Sequence, residues 1–209
     1  MSARQLRGRR LFLDEASVTA TENAIMAAVL AEGTTIIESA AAEPEVVDLA
    51  NFLIKMGARI EGAGTRRITV HGVPTLHGAD HSVIPDRIEA GTYLIAGAIG
   101  GGDVELQKCD PAHLGSVIDA TRKAGYTVAT SATGLRISAN GQRRPLKLAT
   151  EPYPGFPTDM QAQMCALLCR ADGISVISEN IFPQRFMHIS ELKRMGADIT
   201  LYGHTAIIT

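Results

Sequence analysis

The chain contains no tryptophan, and phenylalanine and tyrosine together supply only nine residues. Its core must therefore be aliphatic, built from Ala, Val, Ile, Leu and Met. Only three cysteines are present, Cys109, Cys165 and Cys169. They cannot all pair, and Cys165 and Cys169 stand one helical turn apart on an apolar stretch, which favours reduced core thiols. No cysteine pair has zinc-type spacing and the six histidines (His71, His77, His81, His113, His188, His204) show none either, so no metal site and no cofactor are expected. Gly, Pro or charge interrupts every apolar run, so no membrane span is expected. A net charge of -2 argues against a nucleic-acid-binding surface. The basic stretch Arg4 to Arg10 has neither the apolar length nor the cleavage-type residues of a signal peptide, which makes a cytoplasmic protein the economical expectation.

What is present is a repeat. Gly33-Thr-Thr-Ile-Ile-Glu, Gly102-Asp-Val-Glu-Leu-Gln and Gly173-Ile-Ser-Val-Ile-Ser begin three similar stretches, and Gly57, Gly125 and Gly196 end the helical pattern inside each. The spacing is about 70 residues, the signature of a duplicated supersecondary unit. Each copy opens with an Ala- and Leu-rich helix, over 17–32, 86–100 and 158–171. A strand follows, then an amphipathic helix with apolar residues at helical spacing (Val46, Leu49, Leu53 and Met56 in the first copy), then a hairpin. The order predicted for each copy is βαβαββ, an α/β (α+β repeat) architecture with helices on one face of a small sheet. One such unit cannot cover its own apolar helices, so units pack helix against helix or the chain self-associates. The Gly-, Pro- and His-containing segment 72–85 marks a boundary, giving domains of 1–80 and 85–209.

The stretch Phe156-Pro-Thr-Asp-Met-Gln-Ala-Gln163 concentrates the candidate chemistry. Thr158 and Gln161 read as a capping box that starts a helix. Asp159 in its first turn either complements the helix dipole or accepts a hydrogen bond from a ligand. Ser17, Asp86 and Thr158 are good N-cap residues at equivalent places in the three copies. Their helix starts, with Val18 and Thr19 beside Ser17, present amide donors to a ligand phosphate if the units pack with pseudo-symmetry. Arg87 serves either a phosphate or a structural carboxylate such as Glu89. Arg185, just before a helix, opposes the dipole there and calls for a ligand or an interdomain carboxylate as its partner.

The motifs Leu30 to Glu38, Glu43-Pro-Glu-Val-Val-Asp48, Pro85-Asp-Arg-Ile-Glu-Ala-Gly-Thr92, Phe156 to Gln163 and Arg185-Phe-Met-His188 resemble the enolpyruvyl transferase family. Within it the match is to the branch acting on UDP-N-acetylglucosamine, in the first committed step of peptidoglycan synthesis. The resemblance covers nearly the whole chain. It implies an inside-out α/β barrel, with three of the family's six βαβαββ units present. It also implies a transferase that moves enolpyruvyl from phosphoenolpyruvate to the 3′-hydroxyl of the sugar, releasing phosphate. By motif, Asp159 matches the carboxylate that takes the hydroxyl proton. Ser17, Val18 and Ile181 match residues that hold the UDP part. Thr158 lies beside the base, and Arg87 matches a cleft arginine. Thr19 stands where many relatives have glycine. The family's lysine–asparagine pair, its loop cysteine and arginine and its C-terminal arginine region have no counterpart here. The resemblance therefore implies an internal fragment: the last unit of one domain (1–80) and two units of the other (85–209), with an incomplete phosphoenolpyruvate site and no activity alone. The alternatives are a non-catalytic sugar-nucleotide-binding or assembly module completed by another chain, and a sibling carboxyvinyl transferase such as the shikimate-pathway enzyme.

Overall fold

The computed structural model describes residues 5–139 and 142–209; Arg4 of the basic stretch lies outside them. Chain contacts divide the protein into two compact units that meet in sequence at Ile84 and Pro85. The first contains β1 (Arg10–Phe12), α1 (Val18–Ala28), β2 (Thr34–Glu38), α2 (Pro44–Lys55), β3 (Arg59–Glu61) and β4 (Arg67–His71). Its sheet runs β1-β2-β4-β3, with β1 parallel to β2 and the other pairs antiparallel. Ile37, Ile68 and Val70 project from the sheet against Ile25 of α1 and Val46 and Ala50 of α2, and all six are fully buried. The α1 helix starts as the sequence implies: Ser17 Oγ accepts from the Ala20 amide at 3.3 Å. It ends four residues earlier than the apolar pattern suggests.

Residues 72–81 run back over this first unit. The Val73 amide donates to the Val29 carbonyl and the His77 amide to the Met56 carbonyl, both at 2.9 Å. His81 Nε2 lies 2.9 Å from Asp48 Oδ1, and its ring stacks on Phe52 at 5.1 Å between centroids.

The second unit contains α3 (Arg87–Gly100), β5 (Asp103–Gln107), α4 (Gly115–Lys123), β6 (Thr127–Thr130), β7 (Gly134–Ser138), β8 (Lys147–Ala149), α5 (Gln161–Leu168), β9 (Ser175–Ser178), α6 (Met187–Arg194), β10 (Ile199–Tyr202) and β11 (Thr205–Ile208). Its third-copy sheet, β8-β9-β11-β10, repeats the arrangement of the first unit, including a parallel outer strand. The middle copy departs from prediction. Its sheet is three-stranded, β5-β7-β6, and among the described residues no strand lies between β4 and α3. The preceding segment holds Pro74 and Pro85, which cannot donate to a ladder, and Gly72 and Gly78, which weaken one. The middle copy is therefore αβαββ, not βαβαββ.

Gly57, Gly125 and Gly196 have φ of +100°, +98° and +98°. Each carries the chain out of the copy's second helix in a left-handed conformation that side chains resist, which is why glycine recurs there. The α3 and α5 helices pack closely because Gly91 faces Met160: a methyl at Gly91 would lie 2.9 Å from the Met160 Sδ. Met160, Met164, Leu167 and Leu168 are buried in this seam, as are Leu94 and Ile95. The three cysteines are free thiols.

Candidate active site

The site grows from the end of β9 and the turn that leads into α5. Phe156 is buried, and an isolated bridge between Thr150 and Phe156 ties this turn to the end of β8. Thr158–Met160 form a short 3₁₀ turn before α5. The expected capping box is not made. Pro157 occupies the cap position without a side-chain bond, and the Thr158 hydroxyl is spent elsewhere, donating to Glu179 Oε2 at 3.0 Å. Gln161, the other half of that box, is 1 % exposed with its Nε2 unpartnered among the described residues.

Glu179 was not among the residues singled out from sequence, yet it is the hub. It is fully buried and accepts four hydrogen bonds. Thr150 Oγ1 donates to Oε1 at 2.8 Å, and the Ile181 and Phe182 amides donate to the same oxygen at 2.9 Å. The Thr158 hydroxyl takes Oε2. An acid immediately after an apolar strand looks like an ordinary solvent-facing loop residue, and nothing in local periodicity marks it.

Asp159 projects outward, its side chain about half exposed, and pairs with Arg185: Nη1 to Oδ1 is 2.7 Å. The same Nη1 donates to Thr158 Oγ1 at 3.1 Å, and the guanidinium lies over the Phe182 ring at 5.7 Å. The carboxylate that Arg185 meets is thus Asp159, within the same unit, and not the interdomain carboxylate expected from sequence. His188, one turn on in α6, has its imidazole pKa lowered by burial and by the Arg185 charge, and its Nε2 has no partner among the described residues. Arg87 lies over Tyr153 at 5.7 Å.

Thr158, Asp159, Ile181 and Arg185 are therefore gathered on one hydrogen-bonded framework, with Arg87 held against the ring of Tyr153, five residues before Thr158. Ser17, Val18 and Thr19 form the start of α1 in the other unit, where Ser17 and Thr19 are exposed and Val18 half-buried. A groove of about 490 Å³ lies elsewhere, between α6 and β10, and none of these residues lines it. Among the described residues no cluster of three metal-ligating side chains occurs, and no helix is long and apolar enough to cross a membrane.

Comparison with known proteins fixes the relationship. The family model for EPSP synthase (3-phosphoshikimate 1-carboxyvinyltransferase) matches residues 1–209. The chain belongs to this family. Among curated proteins it is 53 % identical over 207 residues to UDP-N-acetylglucosamine 1-carboxyvinyltransferase of Acidobacterium capsulatum, covering 99 % of this chain and 48 % of that one. It is 50 % identical over 206 residues to the enzyme of the same name from Koribacter versatilis, again covering 99 % and 48 %. The chain thus spans about half the length of these curated relatives. Solved members show the same fold. The enolpyruvyl transferase NikO from Streptomyces tendae superposes with a TM-score of 0.90 at 24 % identity, over 99 % of this chain and 52 % of that chain. EPSP synthase from Acinetobacter baumannii gives 0.71 at 22 %, over 98 % and 48 %.

Proposed function

We propose that these residues form the acceptor-side part of a carboxyvinyl transferase, which moves enolpyruvyl from phosphoenolpyruvate to the 3′-hydroxyl of UDP-N-acetylglucosamine. The observation that carries this reading is Asp159, an outward-facing carboxylate fixed at 2.7 Å by Arg185 at the entrance of α5. Arg185 engages Oδ1, so Oδ2 is the oxygen that takes the sugar hydroxyl proton. As that hydroxyl bonds to C2 of phosphoenolpyruvate, its proton becomes acidic and passes to the positioned carboxylate. C3 is protonated to give a tetrahedral intermediate, which then loses phosphate and a C3 proton to leave the enol ether. The names of relatives 50–53 % identical support UDP-N-acetylglucosamine as acceptor and a place in peptidoglycan synthesis; a cytoplasmic location is part of the same proposal.

In this reading Ser17, Val18, Thr19 and Ile181 hold the UDP part, with Arg87, Thr158 and Arg185 lining the acceptor side. The two units are parts of the two domains of an inside-out α/β barrel, completed by chain beyond these residues or by a second polypeptide. The groups that clamp the phosphoenolpyruvate anion belong to that complement, and the 209-residue chain alone is inactive.

The test is an NMR titration of the chain with each substrate separately. UDP-N-acetylglucosamine shifts the amide signals of Thr158 and Ile181, whereas phosphoenolpyruvate alone leaves them in place. Absence of any nucleotide-sugar response, or phosphate release by the chain alone that depends on both substrates, overturns the assignment.

A further inference from the structure

We infer that Glu179 is a positioning residue for Asp159, acting through Thr158 and Arg185; this rests on the reading of Asp159 as the base. The three copies of the repeat provide the comparison. In the first, Glu38 pairs with Arg67; Ser39 then turns left-handed at φ 57°, and the next amide, Ala40, donates to the Arg66 carbonyl at 3.0 Å. In the second, Gln107 pairs with Gly134, Lys108 has φ 56°, and the Cys109 amide donates to the Thr133 carbonyl at 3.2 Å. In the third, Ser178 pairs with Thr205 and the very next amide, Glu179, donates to the His204 carbonyl at 2.8 Å.

Ala40, Cys109 and Glu179 therefore occupy one equivalent slot, and the third copy lacks the left-handed residue before it. All three side chains are buried, at 1 %, 6 % and 0 % exposure. Two copies fold with a small apolar group or a thiol in this slot, so the unit itself has no need of a carboxylate. Burying one is costly unless its oxygens are satisfied. In the third copy four donors satisfy them, and those donors belong to the segments that carry Asp159 and Ile181.

The polarity of these bonds has a direction. A carboxylate only accepts, and a threonine hydroxyl has one proton to give. Glu179 Oε2 takes that proton at 3.0 Å, which turns the Thr158 lone pairs toward Arg185 Nη1 at 3.1 Å. The Nη1 held there makes the 2.7 Å contact to Asp159. Through Oε1 the same carboxylate fixes the amides of Ile181 and Phe182, and Phe182 is the ring beneath Arg185. One buried group thus sets the base and the Ile181 loop relative to each other. Replacing Glu179 by glutamine puts an amide NH₂ where an acceptor is required, either toward Thr158 or toward the two backbone amides.

The experiment reads Arg185 directly, by exchange of its guanidinium Hη protons with water in the ¹⁵N-labelled chain, and needs no turnover. The variants are Glu179→Gln, Thr158→Val and Thr150→Val. Glu179→Gln and Thr158→Val are expected to speed Arg185 exchange about tenfold, the effect of losing one hydrogen bond in a charged network. Thr150→Val removes a different bond to Glu179 and leaves Arg185 exchange within about twofold, since the Thr158 link survives. If Glu179→Gln does not fold, judged by far-UV dichroism, Glu179→Ala, the residue type that the first copy carries in this slot, takes its place with the same expectation. Unchanged exchange in the Glu179 variant or in Thr158→Val, or equal acceleration in Thr158→Val and Thr150→Val, overturns the inference. If Asp159→Asn left turnover intact in a complete enzyme, the base reading would fail while the Arg185 result stood.

Discussion

The Asp159 carboxylate and the Arg185 guanidinium meet at 2.7 Å with both side chains close to half exposed. An ion pair in that position adds little to stability, because water screens it and two long side chains must be ordered. Its value lies in fixing where the carboxylate points. The single Nη1 that serves both Asp159 and Thr158 makes this a geometric demand and not only a matter of charge.

Arg185→Lys is therefore expected to cost less than about 1 kcal/mol in urea denaturation, the scale of an exposed pair. In a complete enzyme the same change is expected to lower turnover by about 10²-fold, because the shorter, unforked lysine side chain does not place its ammonium where Nη1 sits and a misplacement of about 1 Å has that effect. Steady-state phosphate release measures the second quantity. A loss of stability with normal turnover would reverse the assignment.

Asp159→Asn keeps the size of the side chain but cannot accept the hydroxyl proton. Turnover in the complete enzyme should fall by roughly two to four orders of magnitude, the range for a positioned acid or base. Affinity for UDP-N-acetylglucosamine, followed by calorimetry, should change far less. Turnover within about threefold of the parent, joined to a lower melting temperature, would make Asp159 a structural residue of the turn.

His188 gives the chain a pH dependence of known sign. Burial, then the Arg185 charge, lowers its pKa from an ordinary 6.5. The unfolded chain then binds more protons than the folded one as pH falls, so folding free energy is lost progressively below 6.5. His188→Gln removes this component. Denaturation midpoints of the parent should fall more steeply than those of the variant between 6.5 and the lowered value, with the two running parallel above 6.5.

Gly125 and Gly196 share φ +98° but differ in surroundings. A methyl on Gly196 meets nothing within 4 Å, whereas one on Gly125 would sit 1.6 Å from the Gln142 carbonyl oxygen. Gly196→Ala should cost about 1–2 kcal/mol from backbone strain alone. Gly125→Ala should cost distinctly more, because the chain at Gln142 must also move. Equal values in thermal unfolding would show that the Gln142 segment yields freely.

The third copy carries strongly exposed apolar side chains. Met187 and Met195 are each 84 % exposed and Tyr202 is 80 % exposed. Contiguous exposed apolar surface drives association. Sedimentation velocity across a concentration series should show self-association, and Met187→Lys together with Tyr202→Lys should reduce it. Strictly monomeric behaviour of the parent chain would refute this.

Much of this architecture was legible in the sequence because glycines and apolar periods report backbone demands directly. Gly57, Gly125 and Gly196 mark the end of each second helix, and all three adopt the left-handed backbone that explains their recurrence. The site was legible in part. Asp159, Thr158, Ile181 and Arg185 do share one framework, but the capping box at Thr158 and Gln161 does not form. A hydroxyl has one proton, and a buried carboxylate distant in sequence takes it. Glu179 escaped notice because its environment is assembled by pairing of β9 with β8 and β11, which local sequence does not announce. The absent strand of the middle copy was missed for the opposite reason: the repeat implied symmetry that the prolines of segment 72–85 prevent.

That absent strand has a consequence for handling the protein. In the other two copies a parallel neighbour covers the edge strand, through β1 on β2 and β8 on β9. Among the described residues β5 has β7 on one side and no strand on the other. Its outward residues include Asp103 and Glu105, both exposed. Acidic side chains spaced along a bare edge discourage copies of the same strand from stacking into fibrils. Preparations held at low pH, or carrying Asp103→Val with Glu105→Val, lose that protection and should precipitate as ordered aggregates well before the native state is lost.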